Sequence, residues 1–285
     1  MDSIYTIRAS PGEGLGCFAT TCISPGTLIL SEAPLFAVRE PRTNSAVISA
    51  FADLDHLQQE LYLTLYAQNT AAEGDARVID IFNSNAWQTG SCTSICPLAA
   101  RFNHSCVPNA SFAWNSRTSQ ITVHAIVAIP AGEARGIWFI CSCGACSSDV
   151  EASDVRRSRM VVLDARIRTG RRQLWRSPVP KAALELVKLL KEEGLVGEAL
   201  GLAYHDATIG WKKYGRLDLA LQTAVKELET AVICFGRDSP AVDASNASLS
   251  ELKAEYAEQR RLRPVIDTEL VEVMDENLVN DLHLV

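Results

Sequence analysis

The densest cluster of reactive side chains is Cys141-Ser142-Cys143-Gly144-Ala145-Cys146. Three thiols in six positions, with a glycine allowing a tight turn, can wrap one soft metal ion, and tetrahedral zinc then needs one further ligand. Cys106 is the preferred fourth, because it lies in the other unusual polar segment, Arg101-Phe102-Asn103-His104-Ser105-Cys106-Val107-Pro108-Asn109. The alternative is three unrelated reduced cysteines in a loop. Asn103, His104 and Asn109 can replace missing backbone pairings or a ligand's water shell, so this segment reads either as a built polar site or as a self-stabilised turn. Upstream, Pro11-Gly12-Glu13-Gly14-Leu15-Gly16-Cys17-Phe18-Ala19 has glycines that permit close backbone approach to a ligand. The same stretch suits a hairpin turn, and it lacks the strand-then-helix context of a nucleotide-phosphate loop.

The elements that must position these residues change character along the chain. Short β-branched or aromatic runs at 28–30, 111–114 and 121–126 are bounded by Pro25-Gly26, Asn115-Ser116 and Pro130-Ala131-Gly132, and predict strands. Over 51–68, Leu54, Leu57, Leu61 and Leu65 fall at helical spacing, which predicts a helical insert in a β-rich domain. After Pro180 the period is helical. Helices are expected over 181–193, over 196–214 with a small-residue face of Ala199, Leu202, Ala203, Ala207 and Gly210, and over 217–235. Gly194, Gly215 and Gly236 stand where these helices should stop, and a last helix is expected around 252–262. Helix pairs joined by glycine turns predict a short helical-repeat array.

The 285 residues carry a net charge of -7 and are 47% hydrophobic, which fits a folded core and argues against a generic nucleic-acid binder. Basic protein or peptide partners suit that sign better. Residues 1–150 hold seven Arg, no Lys and twelve acids, whereas 151–176 hold eight Arg against three acids and mark a boundary. The longest apolar stretch, 121–130, is too short to cross a bilayer, and the first residues do not read as a signal peptide. The expectation is therefore cytoplasm or nucleus and no membrane. There an odd count of nine cysteines argues for metal ligation or burial over disulfides, with Cys17, Cys22, Cys92, Cys96 and Cys234 as reduced packing residues. His124 reads as a hydrogen-bonded structural histidine, and His205 and Asp206, adjacent on a helix, do not face each other.

Gly14 to Ala19, Ile23 to Leu35, Arg101 to Asn109 and Phe139 to Cys146, in that order, resemble the successive motifs of SET-domain proteins of the SMYD-like branch common in fungi. Residues 81–87 and 203–240 resemble further parts of that branch. The resemblance implies an α+β fold: a β-rich SET domain over 1–150 with a helical insert at about 41–100 and a post-SET cysteine cluster. An Arg-rich linker at 151–180, an all-α tetratricopeptide-like domain at 181–262 and an acidic tail at 263–285 follow. It implies an S-adenosylmethionine pocket formed by Gly14, Leu15, Gly16, Asn103 and His104, with Phe139 over the adenine, and a post-SET zinc held by Cys106, Cys141, Cys143 and Cys146. The implied reaction is methyl transfer to a lysine of a basic histone or non-histone protein or peptide. After Glu133, however, the chain runs directly through Ala134-Arg135-Gly136-Ile137-Trp138 to Phe139. The family's Glu-x-x-x-Ser-Tyr strand, its channel-lining Tyr and the connecting helix are missing there, so no catalytic residue is assigned and impaired catalysis is expected. A non-catalytic scaffold using the helical array is the alternative reading.

Overall fold

The computed structural model describes residues 3–10, 14–103, 105–132, 146, 150–173 and 179–262. They belong to two compact units, Met1–Cys143 with Ile233–Pro240, and Gly144–Val232 with Ala241–Val285.

In the first unit, β1 (Tyr5–Ser10) and β2 (Gly14–Ala19) pair antiparallel, with Arg8 opposite Gly16 and Ile7 opposite Cys17. Gly14 and Gly16, read as part of a loop, thus lie in a strand, braced by the Arg8 guanidinium 4.0 Å over the Phe18 ring. A second sheet has the order β3-β8-β7, formed by β3 (Leu28–Glu32), β7 (Ala110–Asn115) and β8 (Gln120–Ala125). These strands fall where the β-branched runs predict them. The central β8 is buried on both faces, and with Ala19, Ile23, Ile29 and Leu30 it forms one core.

The insert opens with α1 (Asn44–Ala52), capped by Thr43, and α2 (His56–Leu63), which starts in an Asp55/Gln58 capping box. The expected leucine face is only partly buried. Leu65 is in the core but Leu57 and Leu61 are exposed, and Tyr62 fills the core beside Leu65, its hydroxyl donating to the Val78 carbonyl at 2.6 Å. After α3 (Gly74–Asn85) the insert is not helical to 100. Residues 86–95 form the hairpin β5 (Ala86–Thr89) and β6 (Cys92–Ile95), which turns at Gly90 with φ +67° and pairs with β4 (Phe36–Arg39). A left-handed glycine between β-branched runs favours that hairpin.

The second unit is helical among the described residues. The stretch read as an Arg-rich linker, 151–180, is largely α4 (Val150–Arg172). Met160, Leu163 and Ile167 recur at i, i+3 and i+7 and are buried, so the segment has a packing face of its own. Its arginines pair with acids: Arg156 and Arg157 with Glu193, Arg159 with Glu185, and Arg171 with Asp206. There follow α5 (Val179–Glu192), α6 (Glu198–Lys213), α7 (Leu217–Phe235) and α8 (Pro240–Leu262). Gly194 and Gly215 of this unit, and Gly236 of the strip that belongs to the first, have φ between +72° and +79°, the left-handed cap that ends helices. On α6, Ala203, Ala207 and Gly210 are buried as the small-residue face requires, but Leu202 is exposed. A Cβ at Gly210 would stand 2.7 Å from Pro180 Cγ, so only glycine admits this approach. The expected tail, 263–285, lies outside the described residues.

Candidate functional site

Three elements of the first unit build the candidate pocket: β2, β3 and a 3-10 turn over Ala99–Arg101 that ends in Phe102 and leads into Asn103. Asn103 meets Gly16. A Cβ added at Gly16 would lie 3.0 Å from Asn103 Nδ2, so the strand backbone and the amide approach with no side chain between them. Two residue sets read from separate parts of the sequence are therefore brought together.

The turn that delivers Asn103 is held from two sides. The Glu32 carboxylate accepts the Leu98 N–H at 2.9 Å and the Ala99 N–H at 2.8 Å. Arg101 donates to the Thr64 carbonyl at 3.2 and 3.3 Å and to its hydroxyl at 2.6 Å, tying the turn to the end of α2. Past Asn103, the Ser105 hydroxyl donates to the Val107 carbonyl at 2.8 Å and accepts its N–H at 3.2 Å, which shapes the loop around half-buried Cys106.

Burial sets the electrostatics. It pushes the Glu32 carboxyl above its usual range, although the two backbone N–H bonds pull it back. Burial also pushes the Cys17 and Cys96 thiols up to about 12, so neither is a thiolate nucleophile near neutral pH. Tyr5 is raised by burial as well, with Cys17 and Glu32 adding to the effect. A run of aromatic contacts backs the turn: Tyr5 on Phe102 at 5.9 Å, Phe102 edge-on to Phe112 at 5.7 Å, and Phe112 stacked on Trp87 at 4.6 Å.

Of the residues expected at the site, Gly14, Leu15 and Gly16 lie on β2 and Asn103 adjoins it. His104, Phe139, Cys141 and Cys143 lie outside the described residues, as does the segment following Glu133. Cys106 is in the first unit and Cys146, exposed, in the second. Among the described residues no group of three or more His, Cys, Asp or Glu is placed to hold a metal. Cys96 and Cys234 are buried as packing residues should be, but Cys22 is exposed. His205 pairs with Glu227 at 3.0 Å rather than with Asp206. His124 is buried, as a structural histidine should be, and its Nδ1 has no hydrogen-bond partner among the described residues. Sequence reasoning did not single out Glu32 or Tyr5, both of which flank the turn.

Residues 14–134 match the family model described as SET domain, so this part of the chain carries a SET domain. The chain resembles histone-lysine methyltransferases. It is 28% identical over a 186-residue alignment to histone-lysine N-methyltransferase set5 of Schizosaccharomyces pombe, a match covering 56% of this chain and 57% of that protein. The chain thus spans little more than half the length of this curated relative. Among solved structures, a protein whose description reads "Plasmodium falciparum putative histone methyltransferase" aligns with TM-score 0.30 and 13% identity over 49% of this chain and 95% of its own. ctPRC2 in an autoinhibited conformation bound to S-adenosylmethionine aligns with TM-score 0.30 and 12% identity over 90% of this chain and 34% of its own. At these TM-scores neither superposition bears on the site.

Proposed function

We propose that the first unit binds S-adenosylmethionine against Gly14, Leu15, Gly16 and Asn103, with His104 and Phe139 completing the pocket, and that the chain methylates a lysine of a histone or other basic protein. The observation that carries this reading is the approach of Gly16 to Asn103 within a SET domain. A bare backbone on one side and a carboxamide on the other form a cradle that a nucleoside-bearing ligand can approach closely. When bound, the cofactor supplies a methyl group on a sulfonium, open to in-line attack by a neutral amine. At pH 7 only about one lysine in a few thousand is neutral, so the site must favour loss of that proton and align the lone pair. No tyrosine lies between Tyr66 and Tyr204, and the sequence runs from Glu133 to Phe139 without the family's Tyr strand. We read the chain as a slow member of the SMYD-like branch. Likeness to a named methyltransferase favours transfer over a purely scaffolding role.

Cys106, Cys141, Cys143 and Cys146 are assigned to a zinc ion, a reading that four soft thiolates suit. The helical region is assigned a tetratricopeptide-like architecture, and the protein a place in nucleus or cytoplasm. Calorimetry with S-adenosylmethionine, followed by transfer of labelled methyl to histones and lysine peptides, tests the function. Micromolar binding with slow transfer is expected. Failure to bind overturns the reading, and binding without turnover assigns the scaffold role. A chelator should release zinc and weaken cofactor binding together; cofactor affinity unchanged by complete metal removal would overturn the coupling.

A further inference from the structure

We propose that Glu32 is the positioning residue of the cofactor pocket: from β3 it clamps the turn that sets Asn103 against Gly16. The inference rests on the cofactor reading above and goes beyond it by naming what holds the pocket in shape. Glu32 lies in the β3-β8-β7 sheet, whereas Asn103 and Gly16 belong to the turn and the first hairpin, so its influence on the ligand is indirect. Both its oxygens are used, on two successive N–H groups at 2.9 and 2.8 Å, where the first turn of a helix leaves its donors unpaired. The turn then closes on itself through Arg101 N–H to the Leu98 carbonyl at 3.0 Å and Phe102 N–H to the Ala99 carbonyl at 3.1 Å. Asn103 is the next residue. With Arg101 anchored to Thr64 at the other end, the segment between the clamps has little freedom to move Asn103 away from Gly16.

The chemistry selects a carboxylate. Only an ionised carboxyl presents two acceptors and no donor to a pair of adjacent N–H groups. A carboxamide in its place would turn an NH2 toward one of them. The titratable groups that interact with Glu32 are Tyr5 on β1, Cys17 on β2 and Cys96 before the turn, and Arg101 within the turn interacts with Cys17. Tyr5 and both thiols are held above their ordinary values, so among these groups Glu32 is the one that gains a proton in mildly acidic solution. Protonation should break one of its two bonds and loosen the turn.

The test compares wild-type full chain, Glu32→Gln, Glu32→Asp and, as a control on the same strand, Ser31→Ala, whose exposed hydroxyl bonds Gln120. Amide hydrogen exchange reads the turn without ligand, and calorimetry with S-adenosylmethionine reads the pocket. For Glu32→Gln, exchange should quicken at Leu98, Ala99 and on to Asn103 but not in the buried β8, and affinity should fall about tenfold, the equivalent of one charge-assisted hydrogen bond. Glu32→Asp, one methylene short, should fall between, and Ser31→Ala should match wild type. Wild-type affinity should decline toward acid with a limb that Glu32→Gln lacks; a limb shared by both belongs to another group. Unchanged exchange over 98–103 overturns the clamp, and faster exchange with unchanged affinity overturns its role in positioning. If the wild type itself fails to bind, the functional reading falls while exchange alone still decides whether Glu32 fixes Asn103.

Discussion

Gly16 is the residue on which the pocket's shape is most economically tested. Its φ is ordinary for a strand, so alanine should fold there, but the new Cβ would press on Asn103 Nδ2, the movable end of a side chain. Gly16→Ala is therefore expected to leave the melting temperature within a few degrees of wild type while weakening S-adenosylmethionine binding about tenfold, by calorimetry. A large loss of stability with normal affinity would be the opposite outcome. Gly16 and Asn103 were legible in the sequence because glycine and asparagine in turn-rich contexts announce unusual backbone. Glu32 was not, because a carboxylate at the end of a strand reads the same whether it faces water or accepts two backbone N–H groups of a distant turn. Of the residues proposed as zinc ligands, Cys141, Cys143 and Cys146 stand out as thiols at close spacing and Cys106 stands apart from them, and spacing alone specifies a ligand type and not a geometry.

Strands and helices followed their periodicity wherever one face is buried, and failed where polar residues disguise that face. Of Leu54, Leu57, Leu61 and Leu65, Leu65 is buried as the spacing predicts, but Leu57 and Leu61 are exposed, because Tyr62, with its hydroxyl satisfied by Val78, fills the core beside Leu65. Helix α4 was hidden by its arginines, whose charges outweigh a packing face of Ser153, Met160, Leu163, Ile167 and Gly170. Those arginines make an electrostatic joint at the end of α5. Burial disfavours ionised Glu193, but hydrogen bonds from Ser153, Arg156 and Arg157 more than compensate and hold its carboxyl at about 2 instead of the ordinary 4.5. A depressed acid stabilises the fold above its unfolded value and ceases to do so as pH falls through the folded one. The helical unit should thus lose on the order of 3 kcal/mol between about pH 4.5 and pH 2. Acid titration of ellipticity should show this in wild type and a shallower loss in Glu193→Gln, which should already be less stable by about 3 kcal/mol at pH 7 because two arginines lose their partner. Equal acid sensitivity in the two proteins would remove Glu193 from the joint.

At the scale of the whole chain, the first unit is not contiguous: residues Ile233–Pro240 belong with Met1–Cys143. Within that unit Gly236, at φ +79°, lies against His124, and a Cβ there would stand 2.7 Å from His124 Nε2 and 3.2 Å from Asp238 Oδ1. Arg117 donates to the Asp238 carbonyl at 2.9 Å. Gly215 has a similar φ, +72°, but open space around it. Gly215→Ala should therefore cost about 1–2 kcal/mol of left-handed strain alone. Gly236→Ala should cost clearly more, and equal losses in thermal melts would show that the His124 contact yields freely. The His124 pKa is lowered by burial, with Asp238 opposing, so the unfolded chain takes up its proton first and stability from this residue declines as pH falls below about 6.5. The returning octapeptide also limits modular evolution. A recombination event that transplanted only the coding region for the first 143 residues would leave behind the piece that covers His124, so this cassette travels intact only with the helices that bring its last strip home.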